Sequence, residues 1–167
     1  MAKKTYARVD DILRAIQDDV SKGARILAEA TKDYLYDKTY TNLYQKMYSG
    51  EYYARTGQFL DSITMSFYSA SGKYRIFFNG NKISKQRGFT GEFNAHADFN
   101  YDKIPIGDLV NWIENGHRVT NKLEKRDGAH MIRDTKKWLN DKIRTVAIKS
   151  GSGAGLESIL KQLIILG

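Results

Sequence analysis

Cysteine is absent from the chain. Disulfides, thiolate zinc centres, iron–sulfur clusters and thiol nucleophiles are therefore excluded together, and the composition agrees with a reducing cytoplasm. No apolar run approaches the ~20 residues of a membrane span. The opening Met1-Ala2-Lys3-Lys4 is basic, but Arg8, Asp10 and Asp11 break up any apolar stretch after it, so it does not read as a secretory signal. Histidine is limited to His96, His117 and His130. They could converge with Asp98 or Glu114, yet their spacings match no ligand pair and there is no His-Glu-x-x-His. No serine sits in a Gly-x-Ser-x-Gly elbow. Asn115-Gly116-His117 after Glu114 lacks the second His/Asn element that a nuclease would need. The carboxylate pairs Asp10/Asp11 and Asp18/Asp19 fall on the solvated side of a helix pattern. No catalytic residue, metal site or cofactor is expected.

What is present is enough for one folded domain: 167 residues, 41% hydrophobic and 12% aromatic. Lys and Arg number 27 against 19 Asp and Glu, a net charge of +8 that favours anionic partners. Between Arg118 and Lys149, ten cations face only Glu124, Asp127, Asp134 and Asp141. Such a run reads first as a solvated helix face with its loop, and second as a surface toward a polyanion or a protein partner.

Along the chain, Val9, Ile12, Leu13, Ile16, Val20, Ile26, Leu27, Ala30 and Tyr34 recur at steps of three and four, which predicts an amphipathic helix over about Val9–Tyr36. Gly23 within it suggests a close packing point. Tyr34, Tyr36, Tyr40, Tyr44, Tyr48, Tyr52 and Tyr53 come next. They can stack on single-stranded nucleic acid, but a tyrosine buries its ring while keeping its hydroxyl wet, which suits a domain edge or subunit interface better. Ile63, Met65 and Phe67 alternate with polar residues, as do Tyr74, Ile76 and Phe78 beyond the turn Ser69–Gly72, predicting an antiparallel hairpin. The polar, Gly-punctuated stretch from Asn79 to Lys103 has the character of an assembly loop. Pro105 and Asp108 then start a short helix that Gly116 stops. Met131, Ile132, Thr135, Trp138, Leu139, Ile143, Val146 and Ala147 mark another amphipathic helix, capped by Asp134. Residues 150–155, Ser-Gly-Ser-Gly-Ala-Gly, read as a flexible linker. The apolar helix after it is too short to stand alone.

Three segments, in order, carry a resemblance. They are Tyr52-Tyr53-Ala54-Arg55-Thr56-Gly57-Gln58-Phe59-Leu60-Asp61-Ser62-Ile63, then Val110-Asn111-Trp112-Ile113-Glu114-Asn115-Gly116-His117, then Met131-Ile132-Arg133-Asp134 leading to Trp138 and Leu139. With a long helix before them, they resemble the head–tail joining or tail-completion proteins of the necks of long-tailed bacteriophages and prophages, over most of residues 9–149. The long loop before Pro105 and the Gly linker with its apolar tail depart from that pattern.

The resemblance implies a non-enzymatic virion structural protein, assembled in the host cytoplasm. It would form a homo-oligomeric ring, six copies by the tail's symmetry or twelve by a connector's. The partners implied are the connector or stopper proteins and the tail tube or terminator, with non-specific contact to DNA in the channel and no membrane. The runner-up is a nucleic-acid-binding protein that uses its basic surface and tyrosines.

The expected fold is α+β, a small antiparallel sheet packed against a long N-terminal helix and a helix in the C-terminal half. A neck domain over 1–149 is followed by the linker, 150–155, and a docking helix, 156–167. The residues singled out as interface or structural motifs are Arg55, Thr56, Gly57, Leu60 and Ser62; Glu114, Asn115, Gly116 and His117; and Leu160, Leu163 and Ile164. The first two groups read equally as turn chemistry or as interface, with Gly116 as a helix C-cap. The last is expected to dock on an adjacent subunit or neck protein, with docking on its own body as the alternative.

Overall fold

The computed structural model describes residues 9–46, 57–82, 106–116 and 128–167. Helix α1 spans Val9–Thr39 and runs on into a π-helical stretch, Tyr40–Gln45. A short helix α2, Gln58–Asp61, leads into strand β1, Ile63–Tyr68, and the turn after it into β2, Lys73–Phe78. Helices α3, Ile106–Asn115, α4, Met131–Lys149, and α5, Gly153–Leu163, come after the hairpin, and the chain finishes in strand β3, Ile164–Leu166. The fold is α+β. Among the described residues no helix is long and apolar enough to cross a membrane.

The alternating residues of the hairpin sort as their period demands. Antiparallel register pairs Ile63 with Phe78, Met65 with Ile76 and Phe67 with Tyr74, which puts the apolar set on one face. On β2 that set is buried, whereas Arg75 is exposed. The sheet is not purely antiparallel. β3 adds in parallel on the far side of β2, with Tyr74 opposite Ile164 and Ile76 opposite Leu166. Such a parallel neighbour requires a long crossover, here supplied by α3, α4 and α5.

Helix α1 packs against both the sheet and α4, but of the stripe that hydropathy picks out only residues such as Leu27 and Tyr34 pack inward. Its buried residues are Ala24, Ala28, Thr31, Leu35 and Thr39, whereas Ile12, Leu13, Ile16 and Ile26 are 42%, 58%, 57% and 67% exposed. Two physical facts explain the difference. Small side chains let the helix approach its neighbours closely. Threonine hydroxyls can satisfy themselves by donating to the carbonyl one turn back, as Thr31 does to Leu27 and Thr39 to Leu35, both at 2.7 Å, so they enter a core at little cost. No described residue approaches within 4 Å of a methyl group built at Gly23, so it marks no close packing point. Facing α1, α4 buries every fourth residue: Met131, Thr135, Leu139, Ile143 and Ala147. Tyr34 stacks on Trp138 with ring centroids 4.5 Å apart, joining the two helices.

The C-terminal segment docks on its own chain. The expected linker shrinks to a turn at Ser150–Ser152, and α5 begins at Gly153. Gly151, at φ +70°, takes the left-handed conformation that reverses the chain there. Leu160 is 2% exposed and Ile164 5% exposed in the common core, and Leu163 is half-buried against it. The Gly–Ser composition therefore encodes a tight turn and the start of a helix. The free edge of β2 offers the last residues backbone hydrogen bonds that a tail docked elsewhere would have to find anew.

Two stability outcomes are expected. Leu160→Ala should cost about 2–5 kcal/mol in urea unfolding, while Ile159→Ala, one residue away but 47% exposed, should stay within about 0.5 kcal/mol; equal effects would contradict docking on the chain's own body. Gly23→Ala should raise stability by about 1 kcal/mol, because it removes a flexible residue from a helix interior without meeting a neighbour.

Candidate functional site: a carboxylate clasp at the start of helix α4

The N-terminus of a helix leaves backbone amides without partners, and these need acceptors wherever water is excluded. In α4 the expected cap, Asp134, lies inside the first turn instead, and the residue in the capping position, His130, makes no side-chain cap bond. The acceptor comes from another helix. Glu114, near the end of α3 and 8% exposed, accepts from the amide of Ile132 through Oε2 and from that of Arg133 through Oε1, both at 2.8 Å. Its negative charge also sits at the positive end of the α4 dipole. Among the described residues it is the one acidic or basic side chain that is buried.

The backbone closes the same joint. The Ala129 amide donates to the Ile113 carbonyl at 2.7 Å and the His130 amide to the Glu114 carbonyl at 3.1 Å. At Gly128 there is no room for a side chain: a Cβ would lie 2.0 Å from the Glu114 carbonyl oxygen. His130 adopts φ +52°, an uncommon conformation for a non-glycine residue, held by the bonds on either side of it. From α1's side, the π-helical stretch brings Asn42 over the joint. Its amide nitrogen donates to the Ala129 carbonyl at 2.9 Å and lies 3.4 Å from Asp134 Oδ2. The Thr39 hydroxyl lies 3.4 Å from Met131 Sδ. Three separate elements thus meet on residues 128–134.

The other motif residues fall elsewhere. Gly57, at φ +77°, precedes α2; Leu60 is buried; and Ser62, fully buried, donates to the Phe59 carbonyl at 2.7 Å and accepts from the Asn79 amide at 2.9 Å. Asn115 is exposed and bonds Asn111, while Gly116, at φ +81°, follows the end of α3. Arg55, Thr56 and His117 lie outside the described residues, as do Tyr48, Tyr52, Tyr53 and most of the Asn79–Lys103 stretch. Of the tyrosines, Tyr34 has its ring engaged by Trp138 and by Lys38 Nζ at 5.3 Å, and Tyr40 stacks on Tyr44.

Two surface hollows accompany these features. One of about 340 Å³ opens beside the clasp, lined by Asn42, Lys46, His130, Arg133 and Asp134 among others. Another, of about 520 Å³, lies between α1 and the edge of β1, with Glu29, Lys32, Asp33 and Lys82 at its rim. Among the described residues no group of three His, Asp or Glu side chains could hold a metal ion. Surface ion pairs perturb two groups: the hydrogen bond to Glu29 raises Arg25 above its ordinary range, and that from Lys161 lowers Glu157 below the usual carboxylate range. The contribution of the Glu157 pair to α5 is present above the ordinary carboxylate pKa and is lost as pH falls.

Sequence reasoning reaches Glu114 as part of a turn; it misses the capping of a second helix and the partners Gly128 and Asn42. Glu114→Ala, which strands the Ile132 and Arg133 amides, should destabilise the protein by about 1–3 kcal/mol and speed exchange of those two amides selectively. Gly128→Ala should cost at least about 1–3 kcal/mol by overpacking. Unchanged urea midpoints in both variants would contradict the clasp.

Comparison with protein-family models, with curated proteins and with solved structures finds no match for the chain.

Proposed function

We propose that the protein is a structural subunit of a bacteriophage or prophage neck, a head–tail joining or tail-completion protein that works as a ring between the head connector and the tail. One observation carries this reading. The second and third segments of the resemblance, Val110–His117 and Met131–Leu139, are bonded to each other through Glu114, Ile132 and Arg133. The motif residue that looks most reactive, a buried carboxylate, is committed to holding two helices at a fixed angle. That is the behaviour of a part whose work is shape.

Exposed apolar side chains on α1, α4 and α5 suit a protein that is completed by neighbours. The net charge of +8 suits a ring through which DNA passes. The partners on this reading are further copies of the chain, connector or stopper proteins and the tail tube or terminator, in the virion. The competing reading, a nucleic-acid-binding protein, draws on the cations of α4, but the engaged rings of Tyr34, Tyr40 and Tyr44 offer it less of a stacking platform.

Electron microscopy and light scattering of the purified protein separate the two. The neck reading predicts closed rings of a single copy number, six or twelve, that cap tails or connectors. A monomer at every concentration, with DNA affinity falling steeply as salt rises, would overturn it in favour of nucleic-acid binding.

A further inference from the structure

Helix α4 carries six cations against Asp134 and Asp141, and its geometry does not scatter them evenly. Arg133, Lys137, Asn140 and Arg144 recur at steps of four, three and four, which sets them along one line of the helix. All four are exposed, clear of the row that α4 buries against the core. The line runs roughly 16 Å from Arg133 to Arg144. At the clasp end Arg133 borders the hollow that Lys46 also lines, so the cations continue past the start of the helix.

Much of this charge is unspent. Arg133 lies 3.6 Å from Asp134, whose carboxylate also meets Asn42. Lys137 and Arg144 enter no ion pair among the described residues, and Asp141, one turn beyond Lys137, stays apart from it. Glu157 on α5 feels Arg144, but its bonded partner is Lys161, at 2.6 Å.

The residue types select the occupant. A protein interface gathers apolar and aromatic side chains at its centre and sheds lysine. This line has no apolar centre; Ile148, beyond Arg144, is the one large apolar side chain beside it. Phosphate contacts need only donors, and arginine, lysine and asparagine supply them. Single-stranded nucleic acid relies on free rings for its bases. Trp138, the one aromatic residue of α4, is stacked on Tyr34 with Lys142 Nζ 5.6 Å from its centre. A duplex needs no such ring, and one laid along the line presents about ten phosphate charges over its length.

We infer that this line of α4 binds the phosphate backbone of duplex DNA without reading its sequence. The inference deepens the neck reading, on which it rests for the placing of DNA inside a ring: α4 is the helix that faces the channel. The contact itself is tested separately from the ring. Because it exchanges counterions for side chains, its strength falls as salt rises, by an amount that counts the cations engaged.

The experiment titrates the full chain into a labelled DNA duplex of arbitrary sequence, at salt concentrations from about 50 to 200 mM. Lys137→Gln with Arg144→Gln removes two charges from the line; Arg14→Gln with Lys22→Gln removes two exposed charges from α1 instead. Unchanged circular dichroism establishes that both variants fold. The line variant should bind more weakly, with the slope of log affinity against log salt shallower by about 2. A second duplex of different sequence should give the same values. The α1 variant should keep the wild-type slope, and both variants should form the same rings as the wild type. Equal slopes in all three proteins, or a wild type that forms rings and leaves the duplex unbound, would overturn the inference and spare the neck reading. Rings lost in the line variant alone would also overturn it, since the line would then hold a neighbouring copy. A wild type that binds through the line yet stays monomeric upholds the contact and overturns the neck reading instead.

Discussion

A helix that starts inside a protein must find acceptors for its first amides, and α4 finds them on the side chain of another helix. The Glu114 carboxylate satisfies two amides at 2.8 Å while sharing their dipole. This one requirement fixes much around it. The carboxylate reaches its target only if the two segments approach at van der Waals distance, which bars any side chain at Gly128. The approach angle places His130 in the left-handed region and turns the Ala129 carbonyl toward Asn42. The π-helical widening at the end of α1 is then the local adjustment that lets Asn42 meet it.

Once α4 is held, the rest of the body is set by helix geometry. A stripe of every fourth residue on α4 meets the small-residue stripe of α1, and the reversal at Gly151 returns α5 across α4. β3 then completes the sheet beside β2. The buried stripe of α1 begins at Ala24, since none of residues 11–23 is buried. One helix therefore serves two ends, closing a core with alanine and threonine and presenting isoleucine and leucine outward. The division makes sense if the outward part is buried by assembly rather than by folding.

Most of the elements are legible in the sequence. Period-two alternation locates both strands of the hairpin, and steps of three and four locate α1 and α4, because those patterns are direct projections of local geometry; α3 is located by Pro105 and Asp108 at its start and Gly116 at its stop. What hydropathy does not give is which side of α1 faces inward. Thr31 and Thr39 are polar on any transfer scale but apolar in effect once their hydroxyls turn back on the helix. Nor does composition distinguish a linker from a turn at residues 150–155, since glycine serves both. The parallel pairing of β3 is invisible for the same reason that all non-local pairing is: its partner, β2, lies far away in sequence. Glu114 stands out in the sequence, but proximity points to Asp134 as the cap, whereas the amides are met from another helix.

On this reading the clasp belongs to the folded chain, and the unburied residues 11–23 of α1 are covered only when copies assemble into the ring. Amide hydrogen exchange on the dilute and the concentrated protein tests both halves at once. The expected result is strong protection of Ile132 and Arg133 at both concentrations, with residues 11–23 exchanging quickly in the dilute protein and becoming protected only on assembly. Residues 11–23 already protected in the dilute monomer, or still exchanging freely in the assembled protein, would contradict it.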